Sequence, residues 1–134
     1  MSFKDAEAAV RAYFASKWNN TTPIAWPDFR FSTPAGTWVR FSMKNTMGYQ
    51  ASAGNPGNNA YRRKGIVTIQ IFQPENKGST DARAKADLAA SAFIPPNRLA
   101  GFRFTNVNAR DIGPDGNGWY QWNVTAEYEY DIAA

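Results

Sequence analysis

The sequence predicts an α+β fold: a four-stranded, mainly antiparallel sheet with two helices packed on one face. Three observations lead there. Two stretches, residues 3–17 and about 80–93, repeat small or apolar residues at three- and four-residue steps. Others alternate with a period of two, as half-buried strands do. The order is helix, strand, long loop, strand, helix, hairpin, with no internal repeat. A chain of 134 residues fits one domain, and at this length roughly two-thirds of the unfolded surface is buried on folding.

The first helix is justified by Phe3, Ala6, Val10, Tyr13 and Phe14, which form one stripe. Ser2 followed by Asp5 fits a capping box, and Asn19-Asn20-Thr21-Thr22-Pro23 ends the helix. Ile24-Ala25-Trp26-Pro27 is a short apolar anchor whose Trp26 is extended by the proline after it. From Thr37 to Asn45, Val39, Phe41 and Met43 share one strand face. Arg40, Ser42 and Lys44 share the other, and Trp38 joins this polar side. Gly48 to Asn59, with three glycines, a proline and three asparagines, reads as a long loop of the kind that is functional or mobile.

Arg62-Arg63-Lys64 leads into a strand with Val67, Ile69 and Ile71 on one face and Ile66, Thr68, Gln70 and Phe72 on the other. Pro74 closes it. The second helix stacks Ala82, Ala86, Ala89 and Phe93, with Leu88 nearby, and places Asp81–Lys85 and Arg83–Asp87 at i,i+4 spacing. Pro95-Pro96 stops it. Phe102 and Phe104 are out of phase with Val107 and Ala109, which predicts a bulge near Thr105-Asn106. After a turn at Gly113–Gly118, Tyr120, Trp122, Val124, Ala126, Tyr128 and Tyr130 alternate with Gln121, Asn123, Thr125, Glu127 and Glu129.

Composition removes several chemistries. The chain has no cysteine, hence no disulfide or thiolate metal site. It has no histidine either, so the usual neutral-pH base and a Ser-His-Asp site are absent. No apolar run nears the ~20 residues of a membrane span, and Met1-Ser2-Phe3-Lys4-Asp5 lacks the apolar run of a signal peptide. We therefore expect a chain made and kept in a cytoplasm until assembly or lysis. The net charge of +4 suits ordinary solubility, a protein contact or a nucleic-acid surface.

Lys77-Gly78-Ser79-Thr80, between strand and helix, poses the question of a phosphate cradle. A P-loop places its lysine after the second glycine of G-x-x-x-x-G-K. Here Lys77 precedes Gly78 and the upstream glycine is missing. The structural reading covers each residue: Gly78 turns, Ser79 or Thr80 caps, and Asp81 meets the helix dipole. Glu127 and Glu129, roughly 7 Å apart on one strand face, have a spacing that suits a metal or glycoside chemistry; on a polar face they read as solvated. Arg62-Arg63-Lys64 has only Tyr61 as a neighbouring ring, which favours a protein contact over base stacking. A solvated strand end is the equal alternative; for a protein contact, Glu127, Glu129 and Asp131 of a neighbouring copy are one candidate partner. Trp38 and Trp119, on otherwise polar faces, are nominated as interface anchors, with partial cover by the molecule's own loops as the equal alternative.

Four stretches, taken in order, carry a resemblance: "IAWPDFRF", "TWVRFSM", "RRKGIVTIQIFQPENKGSTDARAKADLAASAF" and "DGNGWYQWNVTAEYEYDI". Each is a packing or turn signal. Their combination, with the Gly-rich loop between strands, resembles the bacteriophage tail-terminator-like proteins over nearly the whole chain.

The resemblance implies a subunit of a hexameric ring that caps the tail tube, stops its growth and offers a docking surface to the head connector. DNA passes through the hole. It implies no catalytic residue, cofactor, metal or membrane partner, and a virion location at the head-proximal end of the tail after synthesis in the host bacterial cytoplasm. Gly48, Tyr49 and Asn55 match a mobile loop that orders on docking, and Arg62, Arg63 and Lys64 match the basic start of the next strand. The competing readings are another small head-completion or tube protein, a nucleic-acid-binding domain, and, last, a carboxylate enzyme.

Overall fold

The computed structural model describes residues 1–134. Seven elements run in order: α1 (Phe3–Trp18), β1 (Ile24–Ala25), β2 (Trp38–Gln50), β3 (Ala60–Pro74), α2 (Thr80–Ser91), β4 (Arg103–Pro114) and β5 (Trp119–Ala133). The sheet has five strands in the order β1-β2-β3-β5-β4, which corrects the expected four. The added strand is the Ile24-Ala25 anchor. It pairs parallel to Val39 and Arg40 of β2, and every other pairing is antiparallel, so the sheet is mixed. Two residues carry too little periodicity to be read as a strand; the pairing exists because β2 offers a free edge there.

α1 starts where expected, since the Asp5 amide donates to Ser2 Oγ at 3.0 Å. It ends at Asn19, whose left-handed backbone (φ 51°) turns its own amide back to the Ala15 carbonyl. Trp18, at the end of the helix and outside the predicted 3–17, is fully buried and donates its indole N–H to Thr22. Phe3 is exposed rather than part of the buried stripe. α2 is shorter than expected. Beyond Ser91 the chain tightens into turns, with the Phe93 amide donating to Ala90 and that of Ile94 to Ser91. Ala92 and Phe93 stay buried there, whereas Leu88 is exposed. The Asp81–Lys85 pair forms at 3.0 Å. Arg83 instead lies over the Trp122 ring, 5.0 Å from its centre, so the Arg83–Asp87 pair is not made.

Both helices cover one face of the sheet. Ala6, Val10, Phe14 and Trp18 of α1 and Ala82, Ala86 and Ala89 of α2 share one core with Val39, Phe41, Val67, Ile69, Ile71, Val124 and Ala126. The alanine stripe gives α2 a close seat. Phe14 joins the layers by stacking on Phe93 and leaning on Phe41, with ring centres 6.2 and 5.9 Å apart. The bulge expected in the penultimate strand is present, between Thr105 and Asn108, and Asn106 takes a positive φ of 51° there. No helix is long and apolar enough to cross a membrane.

Candidate interaction surface

Alternation sends the odd residues of β3 toward the helices and the even ones away from them. The basic run is therefore split between faces. Arg62 and Lys64 lie on the open face. Arg63 points to the helix side, with its guanidinium 3.9 Å from the centre of the Phe3 ring and donating to the Met1 carbonyl.

Two of the carboxylates considered as partners on a neighbouring copy, Glu129 and Asp131, pair with the basic run of their own chain. Register places Arg62 opposite Asp131 and Lys64 opposite Glu129. Arg62 grips Asp131 with two bonds, 2.8 and 3.0 Å long. Glu129 sits between Lys64 (3.8 Å) and Arg103 of β4 (2.5 Å). The Arg62 bonds hold the Asp131 carboxyl below its ordinary range, against a smaller opposing effect of burial. Glu127 is exposed and sits between Ile66 and Thr105 in register, one row from Glu129, and joins none of these pairs.

Gly48 and Tyr49 are not in a loop. β2 runs on to Gln50, pairing Gly48 with Arg63 and Tyr49 with Arg62, after a bulge between Asn45 and Met47. Cross-strand pairing with the long β3 overrides the weak strand propensity of the glycine. The loop shrinks to Ala51–Asn59 and is anchored: the Asn55 amide donates to the Asn59 side chain at 3.0 Å. Asn59 in turn exchanges both backbone bonds with Ala134, each 2.8 Å long.

Trp38 is covered by its own chain, at 5% exposure, and is not the free anchor expected. It lies on the open face of the sheet but stacks on Phe72 at 4.3 Å between ring centres and meets Phe31 and Trp119 edgewise or tilted. This small second core seals one corner of the open face. Trp119 is half-buried on its rim.

The phosphate-cradle question has a structural answer. Ser79 precedes α2 without a side-chain cap bond. Gln73, buried at the end of β3, donates to the Gly78 carbonyl and ties the turn to the strand. The adjacent cavity, about 330 Å³, is lined by Gln73, Glu75, Asn76, Gly78, Ser79, Pro114 and Tyr120. No lysine or arginine lines it, and its ionisable groups are a carboxyl and a phenol. Asp81, at the helix start, is occupied by Lys85 and by Thr37, which donates at 3.2 Å. No three acidic residues cluster as a metal site.

The open sheet face carries two rows of polar side chains. Sequence reasoning located Arg40 and Lys44 on a polar strand side but missed Arg103 and Arg110, whose phase the β4 bulge hides. Register is what assembles them: Arg40, Gln70, Asn123 and Arg110 form one row across four strands, and Ser42, Thr68, Thr125 and Asn108 the next.

The family model described as phage tail terminator protein matches residues 5–128. The chain belongs to the phage tail terminator protein family. A structural role in the phage tail and a place in the virion follow for this family member. Comparison with curated proteins gives no match. One solved structure shares the fold at 17% identity and a TM-score of 0.65, covering 96% of this chain and 97% of its own. A chain from the virion of a native gene transfer agent particle is 16% identical, with a TM-score of 0.48 over 94% of this chain and 91% of that one.

Proposed function

We propose that this family member assembles as a closed ring, most simply of six copies, that caps the tail tube, stops its polymerisation and presents a docking surface to the head connector. The family match across residues 5–128 carries this reading. The fold is compatible with it. A ring needs a heterologous contact, made by two unlike surfaces of each copy. The sheet has two unlike flanks: β2, bare beyond Arg40 where β1 stops, and β4, which pairs only with β5.

Gly48, Tyr49, Asn55, Arg63 and Trp119 are proposed as contact residues with tube, connector or neighbouring copy. Arg62, Lys64, Glu127 and Glu129 act at the same end of the sheet, the first two and Glu129 through their ion-paired strip. Trp38 is a core residue in this proposal. DNA passes through the lumen, and the work is done by surfaces rather than by a reacting group. Light scattering and electron microscopy of the purified protein test the reading. A ring is expected, and phage lacking the protein should carry overlong tubes. A monomer at every concentration, even with tube protein added, together with tails of normal length would overturn it.

A further inference from the structure

We infer that the open face of the sheet is a surface for the phosphate backbone of duplex DNA, centred on Arg40, Lys44 and Arg110. This deepens the ring reading, on which it rests for the source of the DNA, by assigning the face that meets the lumen.

Charge is the first argument. Arg40, Lys44, Arg62, Lys64, Arg103 and Arg110 share the open face with three carboxylates, Glu127, Glu129 and Asp131. The face therefore carries a net +3 of the chain's +4. The carboxylates are not spread evenly. Asp131 and Glu129 are consumed by Arg62, Lys64 and Arg103 at one end. Arg40, Lys44 and Arg110 make no salt bridge; Arg40 and Arg110 share a row further along the face, and Lys44 stands in the row of Ile66 and Glu127 between them and the paired strip. All three are exposed, and Arg40 is held over the Trp38 and Phe72 rings at 5.5 and 5.4 Å.

Chemistry of the rows is the second argument. The row Arg40, Gln70, Asn123, Arg110 and the row Ser42, Thr68, Thr125, Asn108 consist wholly of guanidinium, amide and hydroxyl groups. These are the side chains that bind phosphate oxygens without reading sequence. A protein-docking face instead has a desolvated apolar centre with aromatic anchors; here Phe31, Trp38, Phe72 and Trp119 are folded into one corner, and the exposed Met47, Tyr49 and Ile66 lie outside the two polar rows, toward the ion-paired end. The third argument is position. The helices cover the opposite face, so this one is left to a partner.

The test measures binding of a short random-sequence DNA duplex by fluorescence anisotropy against salt, with particle size recorded in the same samples. The wild type should bind with a steep salt dependence. The triple variant Arg40→Gln/Lys44→Gln/Arg110→Gln should lose at least tenfold in affinity at low salt. Its logarithmic salt slope should flatten by about 0.9 for each phosphate no longer neutralised. The control triple Lys4→Gln/Lys77→Gln/Arg98→Gln removes the same charge elsewhere and should bind as wild type. Should the Arg40 change unfold the protein, Lys44→Gln/Arg110→Gln replaces it. The chain has no cysteine, so Ser42→Cys carrying a thiol-linked photocrosslinker should capture DNA and Ala84→Cys on α2 should not. Equal weakening in both triples overturns the assignment, as does a ring that binds no DNA at low salt. Loss of tube-protein capture without any DNA binding assigns the face to a protein and overturns it too. A monomer whose binding falls only in the open-face triple keeps this inference and removes the ring.

Discussion

Gly65 shows how one residue decides local geometry. A methyl group added there would run into the Lys44 carbonyl and the Tyr128 ring. The Tyr128 side chain crosses the glycine to donate its hydroxyl to Asn45 Oδ1 at 2.6 Å, which links β5 to β2 over the top of β3. Gly65→Ala should therefore cost about 1–3 kcal/mol through overpacking, read as a lower urea midpoint with an unchanged slope. Tyr128 also has its pKa pushed up to about 12, by burial first and then by Tyr130 and Glu7. Its folded value lies above the unfolded one near 10. Its contribution is therefore complete below pH ~10 and fades as pH rises toward the folded value. On the acid side, the Arg62 bonds depress Asp131 and the Lys85 bond depresses Asp81. Both contribute stability above the ordinary carboxylate range and lose it as pH falls through the lower folded values. Thermal unfolding followed across pH should decline at both ends, and Asp131→Asn should remove part of the acid limb.

At the scale of elements, the two helix starts differ in a way the sequence disguises. Ser2 and Ser79 both look like caps, but only Ser2 accepts a backbone amide. Ser2→Ala should cost about 1 kcal/mol, and Ser79→Ala should be close to neutral; chemical denaturation of the two variants side by side checks the contrast. The second start is held by other means. Gln73 reaches the Gly78 carbonyl, and Thr37 reaches across from the β2 side to Asp81. The strand edges are guarded too. β4 has bulges after Thr105 and Asp111 and ends at Pro114, and β2 carries Lys44 and a bulge beyond Asn45. Such devices discourage indiscriminate edge pairing, which suits the proposed ring.

For the whole molecule, the division of labour is between two sheet faces. One is buried under both helices and supplies stability; the other is open and mostly polar and positive, apart from its aromatic corner and the exposed Met47, Tyr49 and Ile66. The expected closed ring and its salt-dependent grip on DNA belong to this scale, since both depend on how entire faces are presented. Much of the architecture was legible in the residues themselves. Alternation placed Val39, Phe41, Val67, Ile69, Ile71, Val124 and Ala126 on the buried side, because a strand's period of two leaves no choice once one face is apolar. The alanine stripe, the Ser2 cap and the β4 bulge were readable for similarly local reasons. Whether Trp38 is an anchor or is covered by its own chain was not, because a large ring on a polar strand side fits both until Phe31, Phe72 and Trp119 arrive from distant segments.

By itself the sequence determined the period of each element, the side of each strand that is apolar, and the absence of histidine and cysteine chemistry. Only the tertiary structure decided that β1 joins the sheet and that β2 runs on to Gln50. It alone showed that Arg62 and Lys64 spend their charge on Asp131 and Glu129 of the same chain, and that Arg40 and Arg110 share a row. The physical reason is that periodicity is a property of neighbours along the chain, whereas register pairs residues up to about seventy positions apart; no local pattern encodes which cation will meet which carboxylate, or be left without one.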